Sequence, residues 1–153
     1  MIKKSRIRKR FEPVKQTTPT QREATMNIIT HHKIDQTLCG HPIILEENRC
    51  TIELKAIECM AADDSGLIHG GFIFGLADYA AMLAVNHPNV VLGGAQVKFL
   101  KPSKIGDILV AEAQVALSEG KKRVVNVKVA KENDVVFEGE LICFIPPKHV
   151  LQP

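Results

Sequence analysis

The sequence GLIHGGFIFGLADYAAMLAV occupies residues 66–85 and decides how the rest of the chain is interpreted. Between Ser65 and Val97, Asp78 is the only Asp, Glu, Lys or Arg. A carboxylate within so much apolar and small-residue sequence is costly to bury unless another group compensates it. Asp78 therefore either reaches solvent through its helical phase or takes part in chemistry.

Residues 70–86 are the one long helix candidate in the body of the chain. Large apolar residues fall on nearly every side of this helix, so we expect other elements to enclose it. Gly70 and Gly71 open the helix, where unpaired backbone N–H groups and the helix dipole favour a developing negative charge. The sequence NHPN, which begins at Asn86, ends it.

The segments on both sides of this helix alternate as β-strands do. Two short strands are predicted from His41 onward, around a turn at residues 46–48. After the helix come four strand-like segments separated by turn sequences such as PSKIGD and SEGKK, which we expect to form an antiparallel meander. The pattern predicts an α+β protein, and the lack of βαβ alternation disfavours a Rossmann-type fold.

The N-terminal part of the chain combines a basic tail with a helix signal. Residues 1–15 carry seven Lys or Arg residues against Glu12, a charge of +6 in a chain of net charge +3. Such a block is typical of a solvated tail, and contact with nucleic acid or an anionic surface is the less favoured interpretation. Thr20 and Glu23 form a capping box that predicts a helix start, with Ile28 and Ile29 on its apolar face.

Metal and membrane sites are not indicated. The four cysteines include no C-x-x-C pair, and the Cys and His spacing does not fit zinc. No secretory signal is evident, so we expect free thiols and a cytoplasmic protein. Gly71 and Gly75 form a G-x-x-x-G pattern, but His69, Asp78 and Pro88 argue against a membrane span.

A long antiparallel sheet around one apolar helix is the hotdog arrangement, and the motifs agree. GLIHGGFIFGLADYAAMLA resembles the signature of the PaaI-like hotdog acyl-CoA thioesterases, N-x-x-G-x-x-H-G-G followed by an apolar run and L-x-D. The later segment VKFLKPSKIGD is similar to that family's strand-turn segment, and the likeness covers residues 40–145. The domain plan that follows is a basic tail over 1–18, a helical segment over 19–39, a hotdog domain over 40–146 and a tail over 147–153.

The resemblance implies a function and a set of site residues. The Gly70 amide would polarise a thioester carbonyl, and Asp78 from the other subunit would act as nucleophile or general base for water. This implies a homodimer, with pairing into tetramers as a further arrangement. His69 and Gly71 would support the substrate, and Lys98 and Lys101 would meet its CoA phosphates, although Lys104 and Arg123 are alternatives. No cofactor is expected, since acyl-CoA is the substrate or ligand.

The sequence also departs from that pattern, which leaves alternatives open. Asp63 stands where the family has an Asn, seven residues before Gly70, and it lacks the amide's N–H donors. Asp63 remains a candidate catalytic residue. The alternative function is a non-catalytic acyl-CoA binder or sensor, similar to the hotdog repressor that senses malonyl-CoA in fatty-acid synthesis. A dehydratase is disfavoured, because Pro88 lies too far from His69 for its motif.

Overall fold

The computed structural model describes residues 26–153. Six antiparallel strands form one sheet in the order β1-β2-β4-β5-β6-β3. The strands are β1 (His41–Glu46), β2 (Arg49–Lys55), β3 (Val91–Phe99), β4 (Ile108–Glu119), β5 (Lys122–Lys131) and β6 (Asp134–Phe144), and the helices are α1 (Gln36–Cys39) and α2 (Gly70–Val85). The sheet encloses the long helix α2, so the hotdog prediction is confirmed.

The ends of α2 agree with the predicted helix. His69 is the N-cap residue in extended conformation, and its imidazole accepts a hydrogen bond from the Gly71 N–H. Asn86 is the C-cap in the left-handed conformation at φ 47°, and its N–H donates to the Met82 carbonyl. A left-handed Asn is a common way to end a helix, because its side chain tolerates positive φ.

The core lies between α2 and the concave face of the sheet. Leu76, Met82 and Leu83 of the helix are buried against strand residues such as Ile52 and Phe137. Nearly every residue from Leu76 to Ala84 is inaccessible to solvent, which matches a helix that is apolar on all sides. Among residues 26–153, no helix is long and apolar enough to cross a membrane.

The predicted four-stranded meander is wrong in its first strand. β4, β5 and β6 follow one another as hairpins, but β3 pairs with β6, and β4 pairs with β2. The turn before β4 explains the difference. The Ala56 N–H donates to the Asp107 carbonyl at 2.9 Å, and the Gly106 N–H donates to the Ala56 carbonyl at 2.8 Å. These bonds attach the turn to the end of β2, so β4 starts beside β2.

The predicted N-terminal helix is also wrong where the structure describes it. Thr20 and Glu23 lie outside the described residues, whereas residues 26–35 are not helical, and α1 is only one turn. Backbone groups of residues 26–29 instead form hydrogen bonds with distant parts of the chain. The Met26 N–H donates to the Leu45 carbonyl, and the Asn86 side chain bonds both the Ile29 N–H at 3.0 Å and the Asn27 carbonyl at 2.9 Å.

Candidate functional site

The first turn of α2 leaves one backbone donor available. The Gly71 N–H donates to the His69 Nδ1 at 2.9 Å, and the Phe72 N–H donates to the His69 carbonyl at 3.1 Å. No hydrogen bond within residues 26–153 engages the Gly70 N–H. His69 therefore accepts hydrogen bonds from the N–H groups of Gly71 and Phe72. The Gly70 N–H remains as a free donor at the positive end of the helix dipole.

Gly70 lines a cleft of about 310 Å³, which we call the Gly70 cleft; its other walls include Ile73, Phe99, Lys101 and Ser103. A Cβ on Gly70 would lie 3.0 Å from the Phe99 ring. A side chain at position 70 would therefore displace the Phe99 ring from the helix start. The cleft joins an apolar wall to a free backbone donor, which suits an acyl group with a polar carbonyl.

Asp78 lies on the same helix, two turns further on. Its Oδ1 is buried and has no hydrogen-bond partner among the described residues. Burial raises the pKa of this carboxyl to about 6. Eight residues of helix separate Asp78 from Gly70, about 12 Å along the axis. The two groups therefore cannot act on one carbonyl within a single chain.

The surroundings of Asp78 show which part of the sheet it faces. Burial is the main cause that raises the pKa of the Cys39 and Cys143 thiols, and the negative charge of Asp78 adds to it in both cases. Asp78 therefore lies near α1 on one side and near β6 on the other. Cys143 pairs with Leu92, so Asp78 lies toward the start of β3.

Asp63 has a different environment, in the exposed loop before the helix. Its Oδ1 accepts hydrogen bonds from the Ser65 N–H, at 2.9 Å, and from the Ser65 hydroxyl. These two bonds hold the pKa of the Asp63 carboxyl below its usual value. The carboxylate thus stabilises its own turn, and its catalytic role stays a prediction.

Only one of the two predicted phosphate-binding lysines lies at the Gly70 cleft. Lys101 lines the Gly70 cleft and pairs with Asp134 at 2.7 Å. Lys98 lines a groove with Lys128 and Glu138 on the outer face, because successive strand residues alternate and Phe99 points toward the helix. The structure brings His69, Gly70, Gly71 and Lys101 together but places Lys98 away from them.

Sequence reasoning missed two residues of the Gly70 cleft. Phe99 covers Gly70, and Ser103 contributes a buried hydroxyl with no hydrogen-bond partner among the described residues. A Phe at a strand end and a Ser in a turn sequence carry no signal that distinguishes them from ordinary residues. Within residues 26–153 no group of three His, Cys, Asp or Glu residues could hold a metal ion.

Two curated proteins are similar to this chain over part of their length. A protein of Aquifex aeolicus named methylthioribose-1-phosphate isomerase is 56% identical over 115 residues, which are 75% of this chain and 25% of that protein. Transcription factor FapR of a Thermoanaerobacter species is 34% identical over 104 residues, which are 67% of this chain and 52% of FapR. The chain thus spans about a quarter of the first relative and about half of the second.

Solved structures and a family profile agree on the fold. The crystal structure of an uncharacterized protein of Pyrococcus horikoshii has a TM-score of 0.83 at 50% identity, covering 85% of this chain and 100% of that chain. A Streptococcus mutans protein bound to acetyl-CoA has a TM-score of 0.69 at 21% identity, covering 78% and 98%, a likeness of fold alone. The profile of the Thioesterase superfamily matches residues 65–138, which include both Gly70 and Asp78. The chain belongs to this superfamily of hotdog proteins.

Proposed function

We propose that this protein is a cytoplasmic homodimer that binds acyl-CoA and hydrolyses its thioester. Asp78 takes a proton from water while the water oxygen attacks the carbonyl carbon. The Gly70 N–H stabilises the negative charge that develops on the carbonyl oxygen. The carbon–sulfur bond then breaks, the acid is released, and the CoA sulfur leaves as a thiolate that takes up the proton. The net change is one water consumed and one thiol formed.

The observation that carries this proposal is the unpaired Asp78 oxygen. A buried carboxylate oxygen without a partner destabilises the fold, so a structural role does not account for it. A pKa of about 6 leaves the group mostly ionised at neutral pH yet basic enough to accept a proton from water. Buried carboxyls of raised pKa are concentrated at functional sites.

A homodimer through β3 would bring Asp78 to a second Gly70. Gly70 contacts Phe99 at the end of β3, whereas Asp78 lies near Cys143, which pairs with Leu92 at the start of β3. Antiparallel pairing of two β3 strands about a two-fold axis sets the end of one strand beside the start of the other. One chain's Gly70 then faces the other chain's Asp78, and the dimer holds two sites.

The edge of the sheet supports such pairing. β3 is a strand of nine residues without proline and is outermost in the sheet formed by residues 26–153, so the N–H and C=O groups on its outer side are available to another chain. At the end of β3, 55% of the surface of Phe99 and 46% of that of Leu100 are accessible to solvent, which is unusual for large apolar residues. A partner strand would cover both.

Thiol release from acyl-CoAs, from acetyl to palmitoyl, tests the enzyme. We expect turnover by the wild type and a loss of roughly a hundredfold to ten-thousandfold in Asp78→Asn, because the general base is removed. Asp64→Asn is the matched control, since it removes an exposed carboxylate of the loop with the same change in charge. Equal turnover by Asp78→Asn and wild type would contradict the proposed role.

Mixing two inactive variants tests the shared site. Gly70→Ala sets a Cβ against the Phe99 ring but keeps the N–H, so it is the control for Gly70→Pro. Gly70→Pro removes the donor N–H at the first helical position, where proline is compatible with the helix and with the extended His69. Alone it should lose roughly a hundredfold to a thousandfold. Refolded together with Asp78→Asn, it should recover about a quarter of wild-type activity, since half the dimers are mixed and each has one complete site. No recovery in mixed dimers would refute a site built from two chains.

A second candidate function is a non-catalytic acyl-CoA sensor. The 34% identity to transcription factor FapR favours it, as do Asp63 at the family's Asn position and the basic residues 1–15. This function predicts saturable binding of acyl-CoA without thiol release from any chain length. It also predicts a salt-sensitive DNA mobility shift that is lost when residues 1–15 are deleted.

A further inference from the structure

A second cleft adjoins the Gly70 cleft and has a different character. We call it the lysine cleft; it has a volume of about 310 Å³ and is lined by Ser65, Leu67, Pro102, Ser103, Lys104 and Lys131. Pro102 and Ser103 line both clefts. Pro102 and Ser103 therefore lie at the boundary between the Gly70 cleft and the lysine cleft.

The lysine cleft has an excess of positive charge. Lys131 Nζ lies 3.1 Å from the Asp107 carboxylate, which also accepts the Lys104 backbone N–H at 2.9 Å. Asp107 thereby fixes both the turn and the Lys131 side chain. Within residues 26–153 the Lys104 ammonium makes no direct ion pair, although the Asp107 carboxylate lies close enough to interact with its charge. The lining of the cleft itself carries two lysines and no carboxylate. Such a cleft is complementary to a phosphate group.

Ser103 stands where the two clefts meet, and its hydroxyl is unsatisfied. The residue is 3% exposed, and its Oγ has no hydrogen-bond partner among the described residues. Its backbone is engaged, since the Ser103 carbonyl accepts the Ile68 N–H at 2.9 Å. A buried hydroxyl without a partner is destabilising, and alanine would fill the same place at no such cost. A serine at this position indicates a polar group that arrives with a ligand.

We propose that the two clefts hold one elongated ligand, with Ser103 as the residue that binds its middle. This inference rests on the proposed acyl-CoA function. The thioester lies at Gly70, the amide-bearing pantetheine arm crosses Ser103 and receives a hydrogen bond from it after a rotamer change, and the phosphates lie at Lys104 and Lys131. Lys98, on the outer face, takes no part in binding.

Calorimetric binding of CoA and of pantetheine, which lacks the phosphates, separates the two roles. Ser103→Ala should weaken both ligands by the same factor, about tenfold, because the lost hydrogen bond goes to the shared arm. Lys104→Gln should weaken CoA about three- to tenfold at low salt and leave pantetheine unchanged. Lys128→Gln, at an exposed lysine of the outer groove, is the matched control and should bind CoA as the wild type does.

Stability distinguishes a ligand-binding serine from a structural one. Ligand-free Ser103→Ala should be at least as stable as the wild type in urea, because its hydroxyl has no partner to lose. Unchanged CoA binding in both Ser103→Ala and Lys104→Gln would overturn the inference and leave the acyl-CoA function intact, as would equal weakening by Lys128→Gln. A wild-type protein that binds no CoA and cleaves no acyl-CoA would overturn both.

Discussion

Two carboxylates on either side of Gly70 have opposite environments. Asp63, in the exposed loop, accepts two hydrogen bonds from Ser65, which lower the pKa of its carboxyl. Asp78, inside the helix, has a buried oxygen that accepts none, and burial raises its pKa to about 6. The loop carboxylate bonds its own turn through one oxygen, whereas the helix carboxylate is not engaged by the described residues and retains its capacity to accept a proton.

This difference shows that, within residues 63–78, some polar side chains stabilise the fold and another is left free for chemistry. Asp63 and His69 both satisfy backbone N–H groups close in sequence, so they stabilise the path of the chain into the helix. Asp78 stabilises nothing within the described residues, so the fold is less stable with it ionised. Groups that are left unsatisfied in a well-packed core are candidates for function, and among the described residues they are the Asp78 Oδ1 and the hydroxyls of Thr51 and Ser103. Of the two hydroxyls, only that of Ser103 belongs to a residue that lines the clefts beside Gly70.

The largest expected effect is on the pH dependence of activity. If Asp78 is the base, kcat/KM should rise with pH through an apparent pKa near 6 and level off above pH 7. At pH 4 the ionised fraction of a group with this pKa is about one hundredth, so activity should fall about a hundredfold. A rate profile with no inflection between pH 4 and 8 would remove Asp78 from the chemical step.

The second effect is on stability and has the opposite sign to the effect on activity. The pKa of Asp78 is raised from 3.8 when unfolded to about 6 when folded, so the folded state binds more protons between these values. The free energy of unfolding should therefore fall as pH rises from about 4 to about 6 and stay level above. Asp78→Asn removes this loss and should stabilise the protein by up to about 3 kcal/mol at pH 8.

Urea unfolding at fixed protein concentration measures this difference. At pH 4, where Asp78 is protonated, Asp78→Asn and wild type should have similar free energies of unfolding. Asp64→Asn makes the same change in charge at an exposed position and should show little difference at either pH. A less stable Asp78→Asn at pH 8 would mean that the carboxylate has a structural partner, and the contrast with Asp63 would fail.

The fold was largely predictable because its signals are local. The limits of α2 follow from the glycines at its start and from Asn86, and strand alternation fixes which residues face the core. The neighbour of β3 was not predictable, because it depends on hydrogen bonds between Ala56 and the turn before β4. The predicted N-terminal helix is absent from residues 26–35 for the same reason, since the Asn86 side chain bonds backbone groups of Asn27 and Ile29, far away in sequence.

Only those features of the candidate site that depend on residues close together in sequence could be predicted. The composition around Asp78 indicates a costly carboxylate, and the glycine pair indicates a helix start open to a ligand. Strand alternation could not predict that Lys101 lies at the Gly70 cleft and Lys98 does not, because β3 ends at Phe99, between the two lysines. The Ser103 hydroxyl is informative only once its lack of a partner is known.

A smaller effect is expected at the helix cap. His69→Ala removes the acceptor of the Gly71 N–H and should cost roughly 1 kcal/mol of stability, the usual value for a lost N-cap. His69→Asn supplies a side-chain oxygen to the same N–H and should recover most of the loss. Urea unfolding of the three proteins measures this. If His69→Ala is as stable as wild type, the imidazole is not the cap, and His69 belongs with Asp78 among the groups held for a ligand.

The smallest effect is expected at Asp63. Asp63→Asn keeps an oxygen that can accept the Ser65 N–H, so the turn should persist, and kcat/KM on the preferred acyl-CoA should stay within about twofold of wild type. Asparagine is also the residue of the resembling thioesterases at this position, so a large rise would show that its amide acts on the substrate. A fall comparable to that of Asp78→Asn would place Asp63 in the catalytic machinery. Only the fall would mean that a carboxylate held by its own turn can still contribute to catalysis.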